Sequence, residues 1–154
     1  MPEAIALSIP IEDLPAYTGR AYGPSSWLEV RQQDVDDFAR VTGDRNPIHV
    51  DPEAAAATPF GGTIAHGLLT HSLVVPLMAE VFEVTGASMG INYGLNRLRF
   101  PAPVPVGSRI RVSGVVDAVD EVAGGYQITT TVTWEREGGE KPVCVAEMLL
   151  RYLR

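Results

Sequence analysis

The chain has 154 residues, 45% of them hydrophobic and 20% charged, which is long enough for one domain with a real core and short for two. Its net charge of −7 and pI near 4.9 leave no basic stripe to displace counterions from phosphates, so nucleic acid is not expected as a partner. The lone Cys144 excludes an internal disulfide and a cysteine-rich metal site, and with no CxxC, HExxH or GxxxxGK pattern neither a metal nor a cofactor is expected; the cytoplasm is the default location.

Residues 1–154 are read as a single domain, without a repeat or an internal linker. The opening MPEAIALSIPIEDL holds a short apolar run, but Glu3 stands where a signal peptide needs positive charge. WLEV at 27–30 reads as a short strand, and a helix is predicted over 33–42. Asp34, Asp36 and Asp37 crowd its first turn, where the helix dipole favours them, while Val35, Phe38 and Val41 or Thr42 make the apolar stripe. Gly43 is placed to end it in a left-handed cap. Residues 44–64 are irregular, interrupted by Pro47, Pro52, Pro59 and Gly61-Gly62, with one short helix inside that Asp51 caps and Pro52 begins.

The run AHGLLTHSLVVPLMAEVFEV at 65–84 is long enough to span a bilayer. However, His66, His71, Pro76, Glu80 and Glu83 interrupt it, and no basic flanks mark its ends, so no membrane partner is expected. It predicts instead a long helix, apolar nearly all round, buried in the core and bent at Pro76, where the amide donor is missing.

The second half changes period. YQITTTVTW at 126–134 alternates, with Tyr126, Ile128, Thr130, Val132 and Trp134 on one face. Segments near 90–100, 108–120 and 143–153 also read as strands, with Gly124-Gly125 and Gly138-Gly139 as turns between them. One early strand, a long buried helix and four antiparallel strands predict an α+β chain in which the sheet wraps the helix, a hot-dog fold.

The chemistry concentrates in GDRNPIH at 43–49. Asp44 and His49 are five positions apart, which in one helix would aim them about 140° apart. The segment is not one helix, because Pro47 biases Asn46 to extended backbone; Asn46 is placed to cap a new turn that Pro47 begins. The chain then reverses between the two side chains and can aim both at one point. A neutral imidazole takes a proton from water near pH 7, and a carboxyl group beside it can exchange the second proton. The same residues also fit a purely structural turn, with Asp44 capping and His49 packed in the core.

FARVTGDRNPIHVDPEAA, Phe38 to Ala55, resembles the signature of the MaoC-like (R)-specific enoyl-CoA hydratases, matching at Phe38, Gly43, Asp44, Asn46, Pro47, His49 and Ala55. FGGTIAHGLLTHSL resembles that family's helix entry, and GRAYGPSSWLEV, GINYGLNRLRFPAPVPVGSRIRV and KPVCVAEMLLRYL resemble the strands of its compact, single-hot-dog actinobacterial members. The likeness covers nearly the whole chain. Asp-x-Asn-Pro-x-His with its helix entry is its specific part; the PVPVGS turn is common to many hot-dog proteins.

The resemblance implies that Asp44 and His49 form a catalytic dyad around one water, and that the Gly67 N–H binds the thioester carbonyl. It also directs attention to Asn46 and Ser72 as substrate contacts. Some relatives carry a serine further along the helix; ungapped, that position falls near Val75, Ser72 is the nearest hydroxyl, and His71 beside it suggests a different pocket lining. The implied substrate is an acyl-CoA thioester and the implied assembly a homodimer. Arg97 and Arg99 read as solvated strand charges, with contact to coenzyme A phosphates as the sharper alternative. Two other functions fit the same pattern: dehydration of acyl-carrier-protein-bound intermediates, and acyl-thioester binding without turnover.

Overall fold

The computed structural model describes residues 5–154, so Glu3 lies outside the described residues. The chain runs β1 (Leu7–Pro10), a 3-10 turn (Ile11–Tyr17), β2 (Ala21–Tyr22), β3 (Leu28–Glu29), α1 (Gln32–Thr42), α2 (Pro47–Val50), α3 (Pro52–Ala56), α4 (Gly67–Ser72) and α5 (Val74–Ala79). It continues as β4 (Phe82–Thr85), β5 (Met89–Arg99), β6 (Arg109–Val122), β7 (Gly125–Arg136) and β8 (Cys144–Leu153).

The main sheet has the order β2-β6-β7-β8-β5, antiparallel throughout, with β3 also pairing β6. The alternation read from 126–134 holds: Tyr126, Ile128, Thr130, Val132 and Trp134 are all buried. β8 supplies Cys144, Ala146, Met148 and Leu150 to the same face, and β6 adds Ile110, Val112 and Val116. These pack with Leu69, Val74, Leu77 and Met78 of α4 and α5 in one core, the sheet-around-helix arrangement of the hot-dog fold. The hairpin between β6 and β7 turns one residue earlier than predicted. Gly124 takes the left-handed φ of 82°, whereas Gly125 already belongs to β7.

The helix predicted over 65–84 is shorter and broken. It comprises two six-residue pieces that meet at Leu73, not at Pro76. Pro76 lacks the N–H that would bond the Ser72 carbonyl, so the break falls where that bond is missing, one turn upstream. Nor is it buried all round: Leu68 is 57% and Val75 59% exposed. Residues 82–85 form a strand, pairing in parallel with β1 from Leu7↔Phe82 to Pro10↔Thr85. The aromatic and β-branched Phe82, Val84 and Thr85 suit a strand, and Gly86 at φ 76° ends it. The opening segment thus contributes to the core through Ile9 and Leu14, which are fully buried.

α1 ends as predicted at Gly43, whose φ is 79° and whose N–H donates to the Ala39 carbonyl. Its stripe differs from prediction: Val35 and Ala39 are buried, whereas Val41 is 73% exposed. No helix among the described residues is long and apolar enough to cross a membrane.

Candidate active site

The GDRNPIH segment folds as two caps in succession. After the left-handed turn at Gly43, the Asn46 side chain accepts from the Ile48 N–H and Pro47 opens α2. Asp51 then accepts from the Glu53 and Ala54 N–H groups, with Pro52 first in α3. The resulting reversal brings together what the sequence separates: Asp44, His49 and His66 each place a potential ligand atom within 4.8 Å of the others.

α2 is tied to the fold on two sides. The Ile64 N–H donates to the Ile48 carbonyl at 3.0 Å, and the Gln32 amide donates to the His49 carbonyl at 2.9 Å. Gln32 also accepts from the Thr63 hydroxyl at 2.7 Å, so the start of α1 braces the loop ahead of α4. Gln32 carries no motif signal, because its role depends on a contact across 31 residues.

His49 is 8% exposed, and its Nδ1 lies 2.7 Å from the Ile64 carbonyl oxygen. A carbonyl only accepts, so Nδ1 carries a proton, and in the neutral imidazole it is Nε2 that presents the lone pair. His66, 2% exposed, makes the opposite choice, its Nε2 donating to the Asp44 backbone carbonyl at 2.9 Å. The two imidazoles stack with centroids 3.9 Å apart and planes 29° apart. The three donors would be a familiar set for a metal. The same pairing of an imidazole with a carboxyl group also suits proton transfer.

His49 opens onto a cavity of about 300 Å3, lined also by Gly67, Thr70, Phe60 and Phe100. Its lining is mostly apolar, as an acyl chain requires. Gly67 is the first residue of α4, where backbone N–H groups have no intrahelical acceptor. A Cβ there would stand 2.8 Å from the Phe100 ring.

Asp44 does not line this cavity. It is exposed at the edge, its carboxylate accepting weakly from the Asn46 N–H at 3.4 Å. Asn46 is occupied as a helix cap. Ser72 is exposed, its hydroxyl donating to the Leu68 carbonyl at 2.7 Å, and it is not part of the cavity. His71 also turns elsewhere, to Trp134 at 5.5 Å, where burial holds its imidazole below the usual histidine range. The hydroxyl-bearing residue that lines the cavity is Thr70, three residues after Gly67 and therefore on the same helix face, whereas Ser72 is five residues on; the Thr70 hydroxyl itself donates to the His66 carbonyl. Arg99 caps the neighbouring Leu98 carbonyl, as a solvated strand residue does.

A family model for the MaoC-like domain matches residues 13–137, and the chain belongs to that family. It is 49% identical over 144 residues to a Mycobacterium tuberculosis (H37Rv) protein named 3-hydroxyacyl-thioester dehydratase Z, covering 93% of this chain and 95% of that one. It is 41% identical to nodulation protein N of Rhizobium leguminosarum, covering 90% of this chain and 88% of that one. Among solved structures it resembles the unliganded R-hydratase PhaJ1 of Pseudomonas aeruginosa. That match has a TM-score of 0.74 and 29% identity, covering 95% of this chain and 86% of that one.

Proposed function

We propose that the protein is an (R)-specific enoyl-CoA hydratase, interconverting trans-2-enoyl-CoA and (3R)-3-hydroxyacyl-CoA. The observation that carries this reading is the 2.7 Å contact of His49 Nδ1 with the Ile64 carbonyl, which leaves Nε2 as the basic nitrogen of the neutral imidazole, in a cavity shared with Gly67 and beside the Asp44 carboxyl group. Such a set can move two protons on one water without help from solvent.

In hydration, His49 Nε2 takes a proton from water as the water oxygen bonds to C3. The electron pair of the double bond moves toward the thioester carbonyl, and the Gly67 N–H stabilises the developing enolate oxygen. The Asp44 carboxyl group delivers a proton to C2. The proton held by His49 returns to Asp44 before the next turnover, and dehydration runs the same steps backward. Water supplies every atom gained, with no net redox change, so the reaction calls for no redox cofactor. The cavity volume of about 300 Å3 is at the small end of ligand pockets and suits a short acyl chain.

A homodimer belongs to the same reading. β5 is an edge strand with Met89, Ile91, Tyr93 and Leu95 exposed, and the exposed Val75 of α5 shares a groove with β5's Asn92. An apolar edge of this length invites pairing, and a second copy is the partner that covers it.

The test is a comparison of crotonyl-CoA with the same acyl group on an acyl carrier protein. Faster turnover of the CoA ester to the 3-hydroxy product supports the proposal. Turnover of the carrier ester alone makes the protein a carrier-specific dehydratase, binding without turnover makes it a thioester-binding subunit, and release of free thiol makes it a thioesterase.

A further inference from the structure

We propose that His66 is a positioning residue for the reaction, the one side chain that holds the acid, the base and the carbonyl-binding helix in register. This rests on the hydratase reading, and it assigns His66 no contact with substrate.

The Asp44 carboxylate needs such a holder. The segment around it is exposed, and the other hydrogen bonds of Asp44 are short-range: its backbone N–H donates to the Thr42 hydroxyl at 3.3 Å, and its carboxylate accepts from the Asn46 N–H at 3.4 Å. Among the described residues, the His66 bond to the Asp44 carbonyl at 2.9 Å is the one that joins Asp44 to the body of the fold. The same imidazole covers one face of the His49 ring at 3.9 Å, and Phe38 packs on it at 4.8 Å. The backbone of His66 is the N-cap of α4, and its carbonyl accepts from both the Thr70 N–H and the Thr70 hydroxyl. One residue therefore touches all three parts of the site: Asp44 through Nε2, His49 through its ring, and Gly67 through the peptide bond.

A packing role alone does not explain a histidine here. His66 spends Nε2 on the Asp44 carbonyl, and Nδ1 is left buried without a partner among the described residues. An orphaned buried nitrogen costs stability, and a phenylalanine would fill the space and stack on His49 without that cost. What phenylalanine lacks is the N–H that reaches Asp44. Displacing a catalytic group by about 1 Å costs up to about 100-fold in rate, so a bond that fixes the loop has a measurable kinetic consequence.

The experiment compares His66→Phe, which keeps the ring and loses the donor, with His66→Gln, whose amide N–H can occupy the position of Nε2. With crotonyl-CoA, His66→Phe is expected to lower kcat by roughly 10- to 100-fold with KM nearly unchanged, and His66→Gln to recover most of that loss. A His66→Phe variant with unchanged kcat and only a shifted Tm overturns the proposal, as does an equal loss in both variants. Nitrogen-15 NMR of the wild type provides a readout independent of turnover and of variant folding. Protonated Nε2 on His66 beside protonated Nδ1 on His49 is expected, and protonated Nδ1 on His66 removes the bond and the proposal with it. An inactive wild type that shows the expected tautomers contradicts the hydratase reading; since positioning for turnover falls with it, only the clamp on Asp44 then survives.

Discussion

The His49 imidazole donates its Nδ1 proton to the Ile64 carbonyl across 2.7 Å. That bond comes from the strand-like segment before α4, so the fold itself selects the tautomer with Nε2 as base. Among the described residues the Asp44 carboxyl group meets only the Asn46 N–H at 3.4 Å, which leaves it available to exchange a proton. Asp44→Asn keeps the backbone carbonyl that His66 uses and removes only that exchange. It is expected to lower kcat about 100-fold or more with an unchanged thermal transition. A large loss of stability with the loss of activity would indicate a structural aspartate.

Gly67 and Phe100 are coupled by space. An added Cβ at 67 would meet the ring at 2.8 Å, and because Phe100 is 40% exposed the ring rather than the backbone gives way. Gly67→Ala is therefore expected to push the ring within the shared cavity and raise KM for crotonyl-CoA several-fold. Adding Phe100→Ala should restore part of that loss. Equal KM values for Gly67→Ala and wild type would separate the ring from the binding site.

Alkaline stability follows from two buried groups, Cys144 and Tyr22, and one partly buried, Tyr152. Burial pushes the Cys144 thiol up to about 12 and the Tyr152 phenol up to about 12, and Tyr22 higher still. In the unfolded chain a thiol ionises near about 8.5 and a phenol near about 10. Folded values above unfolded ones mean that this stabilisation is complete below the unfolded values and is lost progressively as pH rises from them through the folded values. The Tm should fall progressively above about pH 8.5, and Cys144→Ala should flatten the first part of that fall. A Tm independent of pH up to about 10 would contradict the burial of these groups.

Leu95, 41% exposed on the β5 edge, tests the assembly. A lysine there places charge on the apolar edge, a device that blocks strand pairing. Sedimentation is expected to show a dimer for the wild type and a monomer for Leu95→Lys. A monomeric wild type would mean that something else covers this face.

The sequence carried the fold's periodic parts and the site's local parts. β7 was legible because its alternation matches burial on a half-covered sheet, and the caps at Gly43, Asn46 and Asp51 because each is set by residues a few positions away. The helix over 65–84 was overextended because an apolar run looks the same whether it is helix core, exposed face or strand. The exposure of Leu68 and Val75 illustrates the same ambiguity: hydropathy does not separate residues covered by their own chain from those covered by another. In the site, Asp44 stands beside His49 and Gly67 lines the cavity that His49 opens onto, whereas Thr70 rather than Ser72 is the hydroxyl-bearing residue in its lining. A structural role for His66 in holding the helix-entry loop is legible, but the particular bonds from Gln32 to the His49 carbonyl and from His66 to the Asp44 carbonyl are not, because they join residues 17 and 22 positions away.

The most direct measurement is turnover of crotonyl-CoA by the wild type and His49→Ala side by side, with the configuration at C3 of the product determined. The expected result is a (3R)-3-hydroxybutyryl-CoA product from the wild type and at least about 100-fold less from a folded His49→Ala. Equal turnover by the two proteins, or a (3S) product, would contradict the assignment of His49 as the base that delivers water.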